Sequence, residues 1–509
     1  MNAEEQSPLS EGPGRKTAVW LVAGCTTLVV ALGSLFVTSH PLWFDETASL
    51  YISREWGAMW ETLLHHETNM WLYYILLNLW QTFGRDEATV RSLSILAAAA
   101  SVPFVWALGR IVFDEKRAVI AAFLFSINIF VIHYSQAARG YTMLLFLVTV
   151  SSYLFARAIE QPSLGRWLWY AVVSALAVYA HLFGFLAVGA QLCSLVALER
   201  RQIPWKKMIA GAAMFAFLLL PMVIFQSLFT GQADWIERPT LHDIYTAVRS
   251  LAGTSLLFLA LYVPLTTVAF VGAWKSIVHG TDSRQRWRIT YIVLLLIAPV
   301  ATIVVFSLAV KPMLVPRYLI FCVAPFVILA ADGWRRVTRT WLQVFFAIVL
   351  VGATARGLVA YYTTPTHEDW KNVASFVSQN GSQGDAVIFY AYFLKIPFEY
   401  YFERADINNP AVDLIDVASA PWRGHPGRLS DLPDPDRDRL DYIYKHYRRV
   451  WAVLGYDLPA KLGREAESAE LREMISGNLH LAGSYEFDEI RLMLYESVAS
   501  DSSHLPPVP

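Results

Sequence analysis

Two adjacent carboxylates, Asp45 and Glu46, follow the first long apolar stretch of the chain. A carboxylate at the depth of a membrane surface is costly to keep there, so its presence indicates a functional site. A positioned carboxylate is the kind of base that a poorly nucleophilic hydroxyl group needs. A structural role is an equally good interpretation of position alone, because Asp45 can cap the helix that follows and Glu46 is favoured in its first turn.

Two arginines, Arg139 and Arg317, lie in short polar turns between apolar stretches, within residues 133–141 and 311–318. An arginine at the end of a membrane helix often only reaches towards lipid headgroups, and this interpretation stays open for each of them. Together with a carboxylate, however, a guanidinium group suits one chemistry well. The carboxylate activates an acceptor and the arginine binds a departing phosphate.

Composition places these residues in a membrane protein. The chain has 509 residues, of which 55% are hydrophobic and 16% are charged, whereas soluble domains carry about 25% charged residues. Several apolar runs reach about 20 residues, the length that crosses a bilayer. The cysteines Cys25, Cys193 and Cys322 all fall in apolar segments, without the spacing of a disulfide framework or a zinc site.

The hydrophobic pattern predicts about 11 transmembrane helices. They are expected at residues 17–38, 90–112, 118–134, 141–158, 167–181, 183–198, 208–228, 251–274, 289–310, 317–333 and 341–360. Lysine and arginine concentrate in alternate loops, which predicts a cytoplasmic N-terminus and an extracytoplasmic C-terminal tail. This alternation holds only if the short apolar segment 70–83 is interfacial or re-entrant, and residues 47–65 are expected to form an amphipathic interfacial helix. His181 and Gln191, in or beside predicted spans, are interpreted as satisfied packing residues.

The domain organisation follows from these spans. We expect a cytoplasmic tail at residues 1–16 and a transmembrane domain at 17–360, with 39–87 as its catalytic first external loop. Residues 361–500 are expected to form a small extracytoplasmic α/β domain, and 501–509 a disordered tail. In that domain, helices are predicted at 368–379 and 395–402. Strands are predicted at 385–390 and 449–454, with a hairpin at 484–495 and an irregular loop at 418–440.

Four motifs in this order resemble the GT-C glycosyltransferases, in particular glycosyltransferase family 39. That family contains the protein O-mannosyltransferases and, as bacterial relatives, the lipid A aminoarabinose transferases. The resemblance covers about residues 15–335 and lies in the segments 43–47, 83–94, 134–141 and 315–319.

The resemblance implies a polytopic GT-C fold and a site at the outer face of the inner (plasma) membrane. A sugar would pass with inversion from a polyprenyl-phosphate donor to an acceptor hydroxyl. Asp45 matches the family's catalytic base, with Glu46 beside it as a supporting residue. The substrate-binding positions that the resemblance suggests are Glu67, Arg139, Tyr141, Arg317 and Tyr318.

The chain departs from the family pattern at two places. Met70-Trp71 stands where members often have two prolines, next to Glu67, and Ala137 stands where many members carry an acid. No cofactor is expected. A divalent metal held by residues such as His65, His66 and His133 is possible on residue type but is not favoured.

The sequence is also compatible with other functions. A flippase or transporter of prenyl-linked glycans would also have many spans and external arginines. A polysaccharide polymerase or ligase would have a large external loop dominated by basic residues. A receptor that uses the C-terminal domain for binding would leave Asp45 and Glu46 unexplained. The expected partners are a polyprenyl-phosphate-linked sugar, the bilayer, and a protein, lipid or glycan acceptor, without nucleic acid. The residues do not indicate which sugar is transferred.

Overall fold

A computed structural model describes most of the chain, with several gaps. The described residues are 14–65, 69–226, 236, 238–280, 282–364, 368–389, 392–405, 411–417, 436–455 and 465–497. Residues 1–13 of the predicted tail 1–16, the predicted tail 501–509 and most of the predicted loop 418–440 therefore lie outside the described residues.

All regular secondary structure among the described residues up to 364 is helical. The helices are α1 (Arg15–Ser34), α2 (Phe44–Ile52), α3 (Trp56–His65), α4 (Trp71–Trp80), α5 (Glu87–Val112), α6 (Glu115–Ser126), α7 (Ile129–Ser135), α8 (Tyr141–Glu160), α9 (Leu164–Ala180), α10 (Gly184–Cys193), α11 (Trp205–Gln226), α12 (Leu241–Ala252), α13 (Leu256–His279), α14 (Ser283–Ala309), α15 (Val323–Arg336) and α16 (Thr340–Thr363). Short 3₁₀ helices lie at Ser194–Ala197, Arg200–Gln202 and Pro316–Cys322.

Eight helical segments of the described chain are long and apolar enough to cross a membrane, or nine if the bent pair α6 and α7 forms one broken span. The segments α9 and α10, which the sequence predicted as two further spans, are shorter apolar helices. The chain is therefore a multi-pass membrane protein, whereas the count of 11 stays a prediction.

Polar caps determine where several of these helices begin. A side-chain oxygen before each helix accepts a hydrogen bond from a backbone N–H in the first turn, which otherwise has no acceptor within the helix. The capping residues are Asp86, Asp114, Asn128, Ser163, Thr240, Ser255 and Asp282.

A chain of buried polar side chains links the apolar helices α8, α9 and α10. Tyr170 donates to Gln191 Oε1 at 2.7 Å, and Gln191 Nε2 donates to both Ser151 and Ser152 at 3.2 Å. Polar groups in an apolar interior are costly unless they are hydrogen-bonded, and these are. The prediction that Gln191 is a satisfied packing residue is confirmed.

An ion cluster and a close helix crossing hold α15 in place. Asp332 is buried and accepts from Arg117 Nε at 2.8 Å and from Arg336 Nε at 2.6 Å, which connects α15 to α6. The neighbouring Gly333 lies so close to Leu265 of α13 that a Cβ atom would come within 1.9 Å of its carbonyl oxygen. Only glycine allows these two backbones to approach this closely.

The described part of residues 39–87, the predicted first external loop, contains three short helices. The single amphipathic helix predicted over residues 47–65 is wrong: α2 ends at Ile52 and α3 begins at Trp56. Ser53 ends α2 with a non-helical backbone, and its hydroxyl donates back to the Ser49 carbonyl. Helix α4 has 10 residues, a length of about 15 Å. It is therefore too short to cross a hydrocarbon core of about 30 Å.

The C-terminal residues form an α/β structure. Its elements are α17 (Trp370–Asn380), β1 (Ala386–Phe389), α18 (Tyr392–Ala405), β2 (Asp413–Asp416), α19 (Arg437–His446), β3 (Arg449–Gly455), α20 (Glu465–Ser476), β4 (His480–Phe487) and β5 (Ile490–Glu496). The strand order is β2-β1-β3-β5-β4. Strand β1 pairs in parallel with β2 and β3, and β5 runs antiparallel to β3 and β4.

This structure confirms the α/β prediction for the tail. The predicted helices and strands correspond to α17, α18, β1 and β3, and the predicted hairpin corresponds to β4 and β5. The prediction missed β2, α19 and α20. Helix α19 begins inside the stretch predicted as an irregular loop, where Asp436 caps it by accepting from Asp438 N and Arg439 N.

The chain divides into two compact units. One contains residues 1–37, 68–228 and 236–361. The other contains residues 38–67, 229–235 and 362–509. The segment with Asp45 and Glu46 thus belongs with the C-terminal residues, whereas the sequence assigned it to the transmembrane domain.

The topology predicted from the charged loops leads to a labelling experiment. Single cysteines replacing Ser382 and Lys206, both exposed, are introduced after Cys193, the exposed natural cysteine, has been changed to serine. We expect a membrane-impermeant maleimide added to intact cells to label the cysteine at 382 and not the one at 206. The reverse labelling pattern would overturn the predicted orientation.

Candidate active site

The two carboxylates lie at the start of α2. Trp43 is the residue before the helix, and Glu46 accepts a hydrogen bond from the Trp43 backbone N–H at 3.4 Å. Asp45 is the second residue inside the helix, so the alternative that Asp45 is its N-cap is wrong, and Glu46 takes a capping role instead. The residues are 9% and 1% exposed, respectively. Burial of a carboxylate that is not needed as a cap favours a chemical role for Asp45.

Residues of the C-terminal part hold this helix start. Glu368 accepts from the backbone N–H of Phe44 at 3.1 Å, and the Tyr401 hydroxyl accepts from the backbone N–H of Leu42 at 2.6 Å. The ring of Phe44 packs edge-on against Phe393, with centroids 5.3 Å apart. The backbone directly before Asp45 is thus fixed from three sides.

The turn that carries Arg139 is anchored by the residues before it. Gln136 Nε2 donates to the carbonyl oxygens of Gly33 and Leu35 at 2.9 and 2.8 Å, at the end of α1. Ser94 of α5 donates to the Arg139 carbonyl oxygen at 3.3 Å. Gln136 therefore fixes the turn in position, and the turn holds Arg139.

The side chains of Arg139 and Arg317 converge on one ring. The Cζ atom of Arg139 lies 5.8 Å from the centroid of the Tyr141 ring, and that of Arg317 lies 5.9 Å from the same centroid. Arg317, in the 3₁₀ helix that begins at Pro316, is also 5.6 Å from the Tyr318 ring. Arg139 is only 5% exposed. Two cations that each lie within 6 Å of one ring centroid produce a positive potential that attracts an anion.

His181, which the sequence analysis interpreted as a packing residue, joins this group. The ring of His181 lies 4.8 Å from that of Tyr318 and 6.3 Å from that of Tyr141, measured between centroids. It sits in the tight turn between α9 and α10, where Gly184 approaches Ala177 so closely that a Cβ atom would come within 2.8 Å of it. The closeness of these helices fixes the position of the histidine.

The tautomer of His181 follows from its hydrogen bond. The Phe183 backbone N–H, which can only donate, points at His181 Nδ1 at 3.2 Å. Nδ1 is therefore the acceptor, and the neutral ring carries its proton on Nε2. Nε2 is buried and has no hydrogen-bond partner among the described residues, and the same holds for the hydroxyl group of Tyr141. The interpretation of His181 as a fully satisfied packing residue is wrong for this atom.

We call Arg139, Tyr141, His181, Arg317 and Tyr318 the arginine–tyrosine cluster. It combines two cationic groups with two buried polar groups that have hydrogen-bonding capacity left over. A buried donor without an acceptor costs about 1–3 kcal/mol, so an oxygen-rich anion bound here would recover that free energy. Phosphate oxygens suit guanidinium groups best because they accept two parallel hydrogen bonds.

The remaining predicted site residues do not join a described cluster. Glu67 and His66 lie outside the described residues, and His65 Nδ1 contacts the Glu61 carbonyl oxygen at 3.0 Å. The ring of His133 packs at a tilt against that of Tyr361, with centroids 4.8 Å apart. Within the described part of the chain, no three His, Cys, Asp or Glu side chains are grouped so that they could hold a metal ion.

Sequence reasoning missed two residues that hold the start of α2, and it gave a third, His181, only a packing role. Glu368 and Tyr401 contact α2 from more than 300 positions away in the chain, a distance at which no local pattern signals a contact. His181 left one trace, as an isolated polar residue between two apolar helices followed by a glycine.

Part of the chain is similar in sequence to a known protein family. Residues 66–225 match the family described as dolichyl-phosphate-mannose-protein mannosyltransferase. Among curated proteins, none matches the chain.

Solved structures cover nearly the whole chain. Apo ArnT from Cupriavidus metallidurans matches with a TM-score of 0.65 at 13% identity, over 96% of this chain and 99% of ArnT. The same enzyme bound to undecaprenyl phosphate matches with a TM-score of 0.64 at 12% identity, over 97% and 100%. The oligosaccharyltransferase AglB from Archaeoglobus fulgidus, in complex with an inhibitory peptide and a dolichol-phosphate, matches with a TM-score of 0.55 at 10% identity, over 95% and 74%.

These identities are too low to carry over a substrate, but the agreement in fold extends over 96% of this chain. The chain has the GT-C glycosyltransferase fold, as its sequence motifs predicted.

Proposed function

We propose that the protein transfers a sugar from a polyprenyl-phosphate donor to an acceptor hydroxyl group, with inversion at the anomeric carbon. The observation that carries this proposal is the convergence of Arg139 and Arg317 on the Tyr141 ring beside two buried polar groups. Two matched structures support it, because ArnT is bound to undecaprenyl phosphate and AglB to a dolichol-phosphate.

The arginine–tyrosine cluster binds the phosphate of the donor in this proposal. The two guanidinium groups and the Nε2–H of His181 donate to its oxygens, and the Tyr141 hydroxyl supplies a fourth donor. When the bond between the sugar and the phosphate breaks, negative charge grows on the leaving polyprenyl phosphate. Donors already oriented in a low-dielectric site stabilise that charge without reorganisation.

Asp45 is the general base in this reaction. It takes the proton of the acceptor hydroxyl as its oxygen attacks the anomeric carbon, a carbon–oxygen bond forms, and polyprenyl phosphate leaves from the opposite side. A single displacement of this kind inverts the configuration, as in inverting glycosidases. Glu46, held by the Trp43 N–H, supports the geometry of the base.

The reaction takes place at the outer face of the inner membrane in this proposal. The support is the alternation of lysine- and arginine-rich loops, which assigns the loop with Asp45 and the C-terminal α/β structure to the extracytoplasmic side. The donor reaches the site from within the bilayer, and the acceptor is a protein, lipid or glycan hydroxyl. The donor sugar is mannose or another hexose or pentose.

A donor panel tests the proposal. Purified protein in detergent or nanodiscs is incubated with polyprenyl phosphates that carry different sugars, together with a mixture of membrane and secreted acceptors. Mass spectrometry then follows loss of the donor and release of polyprenyl phosphate. We expect at least one donor to be consumed, and the Asp45→Asn variant to consume it at least about 100-fold more slowly.

The same experiment separates the alternatives. In sealed proteoliposomes, a flippase would move an intact donor across the bilayer without releasing polyprenyl phosphate. A polymerase would give products that grow by repeated units rather than by one sugar. Either result would contradict the proposed single transfer.

A further inference from the structure

We propose that Glu368 and Tyr401 are positioning residues for the base Asp45, so that the C-terminal α/β part takes a direct role in transfer. The inference rests on the proposed function, and it assigns a task to a part of the chain for which sequence analysis suggested none. The contacts that support the inference all lie within one compact unit, which contains both residues 38–67 and 362–509.

Glu368 adds a second capping contact at the start of α2, beside the one that Glu46 makes with the Trp43 N–H. Phe44 is the first residue of the helix, and its N–H is among those without an acceptor inside the helix. The residue at the usual capping position is Trp43, which has no oxygen in its side chain. Glu368 Oε2 accepts from the Phe44 N–H at 3.1 Å, and its negative charge is favoured at a helix N-terminus.

The orientation of Glu368 is itself fixed. The same oxygen, Oε2, also accepts from the indole Nε1–H of Trp370, and both side chains are buried. A buried carboxylate is retained at a cost that its hydrogen bonds must offset. Here those bonds join the beginning of α17 to the first turn of α2, one residue before Asp45.

Tyr401 holds the residues before α2 through a second, independent hydrogen bond. Its hydroxyl oxygen accepts from the Leu42 N–H at 2.6 Å, two residues before Phe44. Phe393, on the same helix α18, packs against the ring of Phe44 with centroids 5.3 Å apart. Loss of these contacts would let the start of α2 shift, and a displacement of about 1 Å in a catalytic group costs on the order of 100-fold in rate.

Glu368→Ala provides the main test, measured on purified protein with the donor that the wild type consumes. We expect kcat to fall about 10- to 100-fold, with KM for the donor and donor binding within about twofold. Glu368→Gln keeps an oxygen that can accept from both Phe44 and Trp370, and it is expected to retain most of the turnover. Rescue by the uncharged amide would show that hydrogen bonding, and not charge, is what the base requires.

Asp385 offers a matched control. It is also a buried carboxylate that accepts from one backbone N–H and one indole N–H, those of Ser382 and Trp451, both at 2.9 Å. It fixes the turn before β1 and not α2. Asp385→Ala is therefore expected to lower the melting temperature about as much as Glu368→Ala, while kcat per folded molecule stays unchanged.

Hydrogen exchange gives a readout that does not depend on activity. The amides of residues 42–47 are expected to exchange faster in Glu368→Ala than in wild type or Asp385→Ala. If Glu368→Ala does not fold, Tyr401→Phe carries the same test, because it removes one acceptor and keeps the ring.

The outcomes distinguish failure of the positioning role from failure of the proposed function. If wild type consumes a donor and Glu368→Ala and Tyr401→Phe keep wild-type kcat and wild-type exchange, the positioning role is wrong and the proposed function stands. If wild type consumes none of the donors, the proposed function fails. Unchanged exchange at residues 42–47 would still overturn the positioning role in that case, and faster exchange would support it.

Discussion

Replacing Asp45 with asparagine is expected to reduce sugar transfer by about 100- to 10,000-fold, the usual cost of removing a general base. Asparagine is nearly isosteric with aspartate but cannot take the proton of the acceptor hydroxyl. Asp45 lies inside the first turn of α2, and the capping contacts are made by Glu46 and Glu368. The substitution therefore leaves the cap intact, and we expect normal folding and normal donor binding.

A purely structural role of Asp45 predicts a different result. Loss of a helix cap costs about 1 kcal/mol of stability and leaves the chemistry of a folded protein unchanged. Transfer rates are therefore measured per folded molecule, beside thermal unfolding and binding of the intact donor. Near-normal turnover by Asp45→Asn at normal expression would overturn the assignment and direct attention to Glu46 or Glu67.

Glu46→Gln is the matched control for this experiment. It removes the neighbouring charge but keeps an oxygen for the Trp43 N–H. Adjacent residues of a helix point in different directions, so the two carboxylates cannot both serve the same acceptor hydroxyl. We expect Glu46→Gln to lose much less activity than Asp45→Asn. The opposite order would identify Glu46 as the base.

Much of the fold could be predicted from the sequence because its signals are local. Apolar runs predict membrane helices directly, and the hairpin of β4 and β5 follows from two apolar segments around Asp488 and Glu489. The motifs with Asp45, Arg139 and Arg317 could be found because the residue types are unusual at the ends of apolar spans. The structure brings Arg139 and Arg317 around one ring, as a shared anion site requires.

Other parts depend on contacts that no local pattern contains. The break between α2 and α3 at residues 53–55 depends on how the chain packs, because the residues on both sides favour one amphipathic helix. Strand β2 has four residues and is half exposed, so it carries almost no apolar signal. The cap of α2 by Glu368 joins positions 324 residues apart. Contacts of this kind can be identified only from the folded structure.

Removal of Arg139 or Arg317 is expected to impair binding and transfer together. Loss of one donor to a developing negative charge typically costs about 100- to 1,000-fold in kcat, and loss of a charge-assisted hydrogen bond weakens donor affinity by about 10-fold or more. Both guanidinium groups lie within 6 Å of the Tyr141 ring. Residues that share one ligand are coupled, so the double alanine variant should lose less than the product of the single losses.

Lysine at either position is expected to restore only part of the activity. It keeps the positive charge but not the planar fork that gives two hydrogen bonds to one phosphate. His181→Phe keeps a ring in the turn between α9 and α10 and removes the buried Nε2 donor. We expect it to lower the affinity for polyprenyl phosphate by a smaller factor than either arginine substitution.

Arg157 provides a matched control on the same helix as Tyr141. It lies in the last turn of α8, where its Nη2 atom donates to Gln161 at 3.1 Å on an exposed face. Arg157→Ala should leave both turnover and affinity for polyprenyl phosphate unchanged, measured by titration of the lipid into protein in nanodiscs. If Arg139→Ala and Arg317→Ala behave like this control, the two arginines only anchor helix ends to lipid headgroups, and the phosphate must bind elsewhere.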